Sequence, residues 1–460
     1  MWGTANSNYA GQNGIDLNPA SITGVPYRWE IHFLSMDASI MNNYYYLKSQ
    51  SKLITKSFKG ETVDDSKLTD RYTKRPDKFA YASVFAKYPA FIWSEKKWSA
   101  AFHLSTRAEI SANNIPYHLA KFAKEGFDYT PQQKIDYEVK NAKVALLNWH
   151  ELGITFAGVL YNDQKYYLTG GITANSLYGL NAIYLNLDYA DYTVPSDSQL
   201  VVRDLVASYG HALPENGTDG GDNPLSYRGG GYSVTTGFQL YKNRNENFYN
   251  PCKKSNGEKP YDYRLGVSII DVGYLNYTSG TRTYLFNSRS VDWYGIDTTS
   301  FGGLVQTDSI LSQQFFGGYR ASRDQRKMTM YLPTAASVQF DVAFTENYFV
   351  NLSVIQRVPL GKNSIRRANQ IAITPRFESR RMEIALPISY YELFKPRIGL
   401  SFRFSIFTIG TDMISPLLGL TDSYGADIYF SLAWRHFKSC DGMNKRKARR
   451  VKIENCVLPN

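Results

Sequence analysis

The chain has 460 residues, 15% of them aromatic, a formal net charge of +11 and a mean hydropathy of −0.37. It holds no run of about 18 apolar residues, which excludes a transmembrane helix. Its Lys and Arg residues are scattered and accompany no recognition motif, which argues against a nucleic-acid partner.

The first segment, residues 1–26, is rich in Gly, Asn, Ala, Ser and Pro and lacks strand alternation. We predict an ordered coil or plug there. Met1 is followed directly by Trp2-Gly-Thr-Ala, which has neither the basic nor the apolar region of an export signal. We therefore infer that this is a mature sequence whose signal peptide has been removed.

Alternation of apolar and other residues then predicts a series of β-strands, because successive strand side chains point to opposite faces. We predict strands at residues 28–38, 79–91, 98–111, 142–161, 166–192, 200–209, 232–241, 263–277, 282–294, 328–344, 348–358, 370–379, 382–391, 397–409 and 425–437. The segment 166–192 is long enough to be a hairpin. Residues 115–124 and 300–316 instead predict short helical insertions.

The last third of the chain alternates most regularly. Met382, Ile384, Leu386, Ile388 and Tyr390 occupy every second position, with polar or small residues between them. Repeated runs of this kind, with charged residues on the other face, are typical of a membrane-spanning β-barrel. A soluble all-β sandwich or propeller is the alternative.

We therefore predict an all-β fold: a transmembrane antiparallel β-barrel of about 14 strands, with an N-terminal plug and short helical insertions. The plug comprises residues 1–26, the barrel residues 27–437 and a basic periplasmic tail residues 438–460. Such a chain crosses the bacterial outer membrane many times and contacts its lipid and lipopolysaccharide.

Four charged residues fall on the inward face if the apolar set faces lipid: Arg376, Glu378, Glu383 and Arg403. Opposite charges on neighbouring strands can pair and brace the barrel from within. The alternative interpretation is a charged constriction that selects solutes.

Cysteine and histidine usage predicts little chemistry. In an oxidising periplasm Cys440 and Cys456 can form a disulfide and leave Cys252 unpaired; three free thiols are the alternative. The absence of HExxH, CxxC and His pairs at i,i+4 argues against a metal site, and no Gly cluster has the context of a phosphate loop, so we predict no cofactor.

A hydrolase motif is also missing from the sequence, which contains neither GxSxG nor SxxK beside a helix. We therefore predict no catalytic residue and no enzyme. Barrel-type lipases keep one alternative open: His103 near Ser105, or His150 beside Glu151.

Asn18-Pro19-Ala20, placed just before the first strand, resembles the N-terminal hatch of FadL-like outer-membrane barrels. Longer segments at 265–273, 331–339, 373–379 and 386–390 extend this resemblance to an uncharacterised family of Bacteroidetes barrels related to FadL and PorV. The resemblance implies a 14-stranded barrel with an internal plug. FadL moves long-chain fatty acids, whereas PorV-like proteins serve as shuttles or subunits in type IX secretion.

Two functional hypotheses follow from the resemblance. The first is a non-enzymatic subunit or docking element of an envelope complex for secretion or barrel assembly, with protein partners. The alternative is a FadL-like transporter of hydrophobic small molecules, which predicts an apolar pocket near the plug and a kink or gap in one strand of the wall.

Overall fold

The structure is a computed structural model that describes residues 1–48, 68–70, 77–163, 165–214, 225–245, 258–300 and 303–437. All three cysteines and the tail at 438–460 lie outside these residues, so the Cys440–Cys456 disulfide stays a prediction. Within these ranges, every helix is too short or too polar to cross a membrane.

Twenty-one strands are described, in chain order. The first eleven are β1 (Tyr27–Asn42), β2 (Tyr45–Leu47), β3 (Leu68–Asp70), β4 (Asp77–Ser94), β5 (Trp98–Pro116), β6 (Asp136–Asn162), β7 (Tyr166–Ser196), β8 (Gln199–Ala212), β9 (Gly229–Lys242), β10 (Tyr263–Tyr277) and β11 (Thr281–Tyr294). The others are β12 (Met328–Tyr331), β13 (Ala335–Ala343), β14 (Tyr348–Arg357), β15 (Gln370–Glu378), β16 (Met382–Ala385), β17 (Ile388–Tyr391), β18 (Pro396–Ile398), β19 (Leu400–Phe404), β20 (Phe407–Thr411) and β21 (Gly425–Phe437).

The strands close into a 14-stranded antiparallel β-barrel, which confirms the predicted fold class. Closure comes from β1, which pairs with β4 on one side and with β21 on the other. Three wall positions are each shared by two strands, β12 with β13, β16 with β17 and β18 with β19. A closed barrel leaves no unpaired sheet edge in lipid, where an unpaired backbone group is costly.

Side-chain burial follows the alternation of the sequence. Outward-facing Ile384 and Ile388 are 38% and 42% exposed, whereas inward-facing Glu383 and Ser389 are buried. Aromatic side chains edge this apolar outer face at both ends. Trp98 and Trp434 lie at the end where short turns such as 95–97 and 344–347 join the strands, which we call the turn end.

The opposite end, where longer connections such as 117–135 and 358–369 lie, is called the loop end. Tyr178, Tyr232 and Tyr274 are exposed on the outer face towards this end. Such paired aromatic girdles mark the two interfaces of the membrane.

A sheet of four strands projects past the loop-end girdle, and we call it the extension; it consists of the first part of β6, the last part of β7, β8 and β11. The first part of β7 pairs with β9 and its last part with β8, and β8 in turn pairs with β11. On the outward face of the extension, Arg203 donates to Asp136 at 2.8 Å and to Asp191 at 2.9 Å. This polar network indicates that the extension stands in water rather than in lipid.

Short helices complete the described chain: α1 (Trp2–Ala5), α2 (Gln12–Ile15), a 3₁₀ turn (Pro19–Ile22), α3 (Tyr117–Glu125), a second 3₁₀ turn (Thr130–Gln132), α4 (Leu304–Phe316) and α5 (Ile414–Leu417). Helices α3 and α4 correspond to the two predicted insertions. Phe122 of α3 and Phe315 of α4 pack in one apolar cluster with side chains of the extension.

Several predicted strand boundaries were wrong. Residues 166–192 do not form a hairpin, because β7 is a single 31-residue strand that runs through the wall into the extension. The segment 397–409 is instead three strands, with a turn at Ser405, whose φ of 56° is left-handed. Pro333 and Pro387 lie in the breaks that divide two other predicted strands, since proline cannot donate to a sheet ladder.

Candidate functional site: the barrel lumen

The N-terminal segment, residues 1–26, packs inside the ring of strands. Nearly all of its side chains are buried, including Trp2, Ile15 and Ile22. Its helices are only four residues long, so contacts with the wall rather than helix propensity hold its shape. Gln12 illustrates this, because its backbone N–H donates to the Glu30 carboxylate of β1 at 3.0 Å.

Asn18-Pro19-Ala20 lies against β7, β9 and β10. The Asn18 amide donates to Gln339 Oε1 and to the carbonyl of Phe238, both at 3.1 Å, and its Oδ1 caps the N–H of Ala20. Glycines make this approach possible: a Cβ added to Gly171 would lie 2.6 Å from the Ala20 nitrogen. The segment is thus seated against backbone that only small residues can provide.

A cluster of buried ion pairs lies below this segment, at the turn end. Arg376 donates to both carboxylate oxygens of Asp341, at 2.6 and 2.9 Å, and also to Glu378. On the neighbouring strands Arg403 donates to Glu383 at 2.9 Å. The four charges singled out in the sequence therefore form two pairs, and Asp341 is the member that the sequence analysis missed.

The same ion pairs also hold the N-terminal segment. Ser7 donates to Glu383 at 2.8 Å, and the Asn8 side chain donates to Glu378 at 3.0 Å. Arg264 of β10 donates to the carbonyl of Asn6. These carboxylates and guanidinium groups are each almost fully buried, and they pair with one another and with the N-terminal segment, as buried charges require.

A second segment enters the lumen from the loop end. Residues 358–369, which connect β14 to β15 and which we call the roof loop, reach nearly across the barrel. The backbone N–H of Arg366 donates to Ser111 of β5 at 3.1 Å, and Asn186 of β7 donates to Asn363 at 2.7 Å. Ile365 is 2% exposed and packs in an apolar cluster with Trp149, which anchors the loop inside.

A cavity of about 260 Å³ lies between the N-terminal segment and the roof loop, and we call it the chamber. Trp2, Ile15 and Leu17 line it from the segment, whereas Arg366 and Arg367 line it from the roof loop. The lining also includes polar residues of β5, β6, β7, β9 and β10. The apolar pocket expected of a transporter is thus only partly apolar.

One ion-pair chain links the chamber wall to its roof. Arg107 lies 3.0 Å from Asp271 and 3.3 Å from Glu151, and Arg367 of the roof loop lies 2.7 Å from Asp271. Asp271 has a φ of 55° and occupies a β-bulge in β10 that turns both Ile270 and Asp271 inward. The bulge is a local kink in the wall.

The sequence analysis did not predict these ion pairs, although the sequence contains a signal for the bulge at Asp271. The run Ile269-Ile270-Asp271 breaks the alternation of β10, and such a break is typical of a bulge. Pairing of Asp271 with Arg367 depends on the path of the roof loop, which has no periodic pattern. The position of Arg367 could therefore not be predicted from the sequence.

The candidate hydrolase pairs are not brought together. Ser105 donates to Glu151 at 2.9 Å rather than to His103, which faces the chamber. His150 lies on the outer face with Thr106, at 2.7 Å, while Glu151 points inward. The described residues also contain no group of three His, Cys, Asp or Glu side chains placed to hold a metal ion.

Comparisons with solved structures find two toluene transporters and a FadL homologue among the similar chains. A FadL homologue of Pseudomonas aeruginosa is 9% identical with a TM-score of 0.42, over 94% of this chain and 97% of the homologue. The Ralstonia pickettii toluene transporter TbuX is 9% identical with a TM-score of 0.38, over 93% and 94% of the two chains. The Pseudomonas putida toluene transporter TodX is 10% identical with a TM-score of 0.32, over 94% and 95%.

No curated protein matches the chain in sequence. One family model does match, over residues 19–412, which run from Pro19 to just past the end of β20 and include the roof loop and most of the chamber lining. The chain therefore belongs to the family of unknown function DUF5723.

Proposed function

We propose that this chain is a transporter that carries small molecules with a hydrophobic part across the bacterial outer membrane. One observation carries the proposal: the lumen holds a chamber bounded on both sides by segments that are not part of the wall. A space between two separate closures suits a molecule that enters from one side and leaves to the other.

In this proposal the N-terminal segment is the plug and the roof loop is the outer closure. The turn end faces the periplasm, because bacterial barrels have short periplasmic turns and longer external loops. A solute enters past the roof loop, waits in the chamber, and leaves past the plug or through the wall beside the Asp271 bulge. Movement of the roof loop requires Arg367 to leave Asp271, so that ion pair is the latch of the outer closure.

The chamber supports transport better than a docking role. A docking element binds its partner on an outward surface and does not require an internal cavity. The buried ion pairs at the turn end, the chamber and the roof loop all lie inside the lumen. The docking hypothesis, with its protein partners, stays a prediction from the resemblance.

A disulfide that locks the roof loop tests the proposal. Ser364 and Tyr331 of β12 are bridge partners, so cysteines at both positions lie within disulfide range. The pair Tyr331→Cys and Ser364→Cys is placed in a chain whose three native cysteines are serine. Uptake of radiolabelled toluene and hexane-1,2-diol is then measured in bacterial cells that carry the chain in their outer membrane, before and after oxidation.

We expect oxidation to reduce uptake to the level of cells without the chain, and reduction of the disulfide to restore it. The control pair is Asn276→Cys and Thr329→Cys, register partners on β10 and β12 whose outward-facing side chains lie 2.7 Å apart, because that disulfide joins two wall strands outside the chamber and leaves the roof loop free. Uptake that continues unchanged with the roof loop locked would overturn the proposal.

A further inference from the structure

We infer that the chamber selects a neutral molecule with a hydroxyl or amide group, which forms hydrogen bonds with His103 and Asn175 beside Gly153. This inference rests on the proposed transport function and names the ligand class for the same chamber. His103 and Asn175 line the chamber, and Gly153 lies between them in the wall; we call this group of three residues the niche.

The niche follows from strand register. His103 of β5 is the partner of Gly153 on β6, and Gly153 is the partner of Asn175 on β7. Because Gly153 has no side chain, the imidazole and the amide can both lean over it. A Cβ added to Gly153 would lie 2.4 Å from His103 Nε2 and 2.4 Å from Asn175 Oδ1.

Both polar side chains lack partners for part of their hydrogen-bonding capacity. Asn175 is 6% exposed; its Nδ2 donates to Ser233 at 3.0 Å, which orients the amide, and its Oδ1 has no partner among the residues that the structure describes. His103 is 3% exposed and makes no hydrogen bond within the described part of the chain. Buried polar atoms without partners are rare in proteins, and these two side chains line the chamber.

A ligand hydroxyl supplies what the niche lacks. It can donate its proton to Asn175 Oδ1 while its oxygen accepts from an imidazole N–H of His103. An amide has the same two capacities, a donor N–H and an acceptor oxygen. A hydrocarbon offers neither, so it gains nothing from the niche.

The charges of the chamber disfavour an anionic head group. Its lining contains three guanidinium groups, from Arg107, Arg366 and Arg367, but six carboxylates, from Asp16, Asp37, Glu109, Glu151, Asp271 and Asp427. Carboxylates still outnumber cations when Lys87 and the Met1 amino group, which pair with Asp16 and Asp37, are included. The lining therefore offers a ligand carboxylate no excess of positive charge to offset its loss of hydration.

Two of the three guanidinium groups are already engaged by carboxylates, Arg107 by three of them and Arg367 by Asp271. Arg366 is the exception, since its guanidinium has no ion-pair partner in the described residues. A carboxylate held by Arg366 at the roof is therefore the competing model. The binding experiment includes a variant that separates it from the niche.

The remaining lining accommodates an alkyl part. Trp2 and Leu17 of the N-terminal segment, Phe85 of β4 and Ile355 of β14 all face the chamber. Burial of apolar surface against these side chains gives affinity without specificity, whereas the niche selects the head group. The expected ligand is a short chain with a hydroxyl or amide at one end.

Three water-soluble probes of equal chain length test this: hexane-1,2-diol, hexanoate and hexylamine. Binding to the full chain in detergent is measured by titration calorimetry. We expect the diol to bind at least about tenfold more tightly than either charged probe. Gly153→Ala should weaken diol binding by about tenfold or more, because a methyl group at residue 153 would overlap the imidazole and the amide and displace both from their binding positions.

The matched control is Gly158→Ala on the same strand, where the nearest atom to an added Cβ is the Lys97 carbonyl oxygen at 3.5 Å. That variant should bind the diol as the wild type does. Asn175→Leu, which keeps the side-chain size but removes the acceptor, should also weaken diol binding by about tenfold.

Three results would overturn the inference: tighter binding of hexanoate that is lost in Arg366→Gln, tighter binding of hexylamine, or no effect of Gly153→Ala on the diol. Absence of binding by all three probes would overturn it as well. If the locked roof loop stops uptake while the diol is not preferred, transport stands and this ligand class falls. If uptake is unchanged when the disulfide holds the roof loop, the transport proposal is wrong, whichever probe binds most tightly.

Discussion

Arg367 of the roof loop donates to Asp271 Oδ2 at 2.7 Å, so a segment that enters from the loop end is tied to a bulge in the barrel wall. Asp271 is 7% exposed and Arg367 21% exposed, which protects the pair from full solvent screening. The same carboxylate contacts Arg107, so the latch is continuous with the chamber wall.

Loss of this latch should loosen the roof loop. Arg367→Gln leaves Asp271 with one fewer cation and should lower the opening free energy of residues 358–369 by about 1–3 kcal/mol. Hydrogen–deuterium exchange of the loop measures it. Lys362→Gln is the control, because its pair with Asp188 is exposed and contributes less than about 1 kcal/mol. Equal exchange in both variants would show that Arg367 is not the latch.

Asn18→Ala should free the N-terminal segment from the wall. It removes hydrogen bonds to Gln339 and to two backbone carbonyls, and we expect a loss of about 1–3 kcal/mol in the local opening free energy of residues 1–26. Hydrogen–deuterium exchange of that segment reports the change. Ser21→Ala, which removes a buried hydroxyl that has no partner in the described ranges, should leave the exchange unaltered.

Removing Arg376 should destabilise the turn end strongly. Arg376→Met removes the two hydrogen bonds that Arg376 donates to the buried Asp341 carboxylate, and should cost about 3–5 kcal/mol in the free energy of unfolding. The double variant Arg376→Met with Asp341→Leu should recover only part of this cost, because it removes the Asp341 charge but leaves Glu378 without Arg376 and Arg264 without Asp341. Urea unfolding in lipid vesicles measures both, and additive costs would argue against a coupled pair.

The lipid-facing surface predicts a contrast along one strand. Ile154 and Glu138 both point outward on β6, but Ile154 lies in the apolar band and Glu138 in the extension beyond the loop-end girdle. Ile154→Arg should therefore cost about 2–4 kcal/mol of unfolding free energy in vesicles, whereas Glu138→Arg should cost less than about 1 kcal/mol. Similar costs at the two positions would show that the membrane boundary on β6 does not lie between Glu138 and Ile154.

Helix α3 should be sensitive to acid. His118 stacks on Tyr137 at 4.2 Å, its Nε2 has no hydrogen-bonding partner, and burial lowers its pKa from the ordinary 6.5 to about 4. Between these two values the unfolded chain binds more protons than the folded one, so stability falls as the pH is lowered from about 6.5 to about 4. Hydrogen–deuterium exchange of residues 117–127, corrected for intrinsic rates, should show the loss. His118→Phe should abolish this pH dependence; if it persists there, another group is responsible.

The sequence by itself determined the class of fold. A period of two, repeated over many segments, can bury a polar face only if the strands close around it, and Ile384 and Glu383 occupy opposite faces for that reason alone. The same pattern placed Arg376, Glu378, Glu383 and Arg403 inside. Local periodicity was also sufficient for helices α3 and α4.

Only the tertiary structure decided what the lumen contains. Asp341 joins Arg376, and His103 joins Asn175 across Gly153, through register between strands that are distant in sequence. The roof loop has no periodic pattern, so its path depends on contacts with β5, β7 and β12 that exist only after the barrel closes. The alternation was sufficient to identify the inward face of the wall. The chamber, however, is the space left inside the barrel between two segments without alternation, the N-terminal segment and the roof loop.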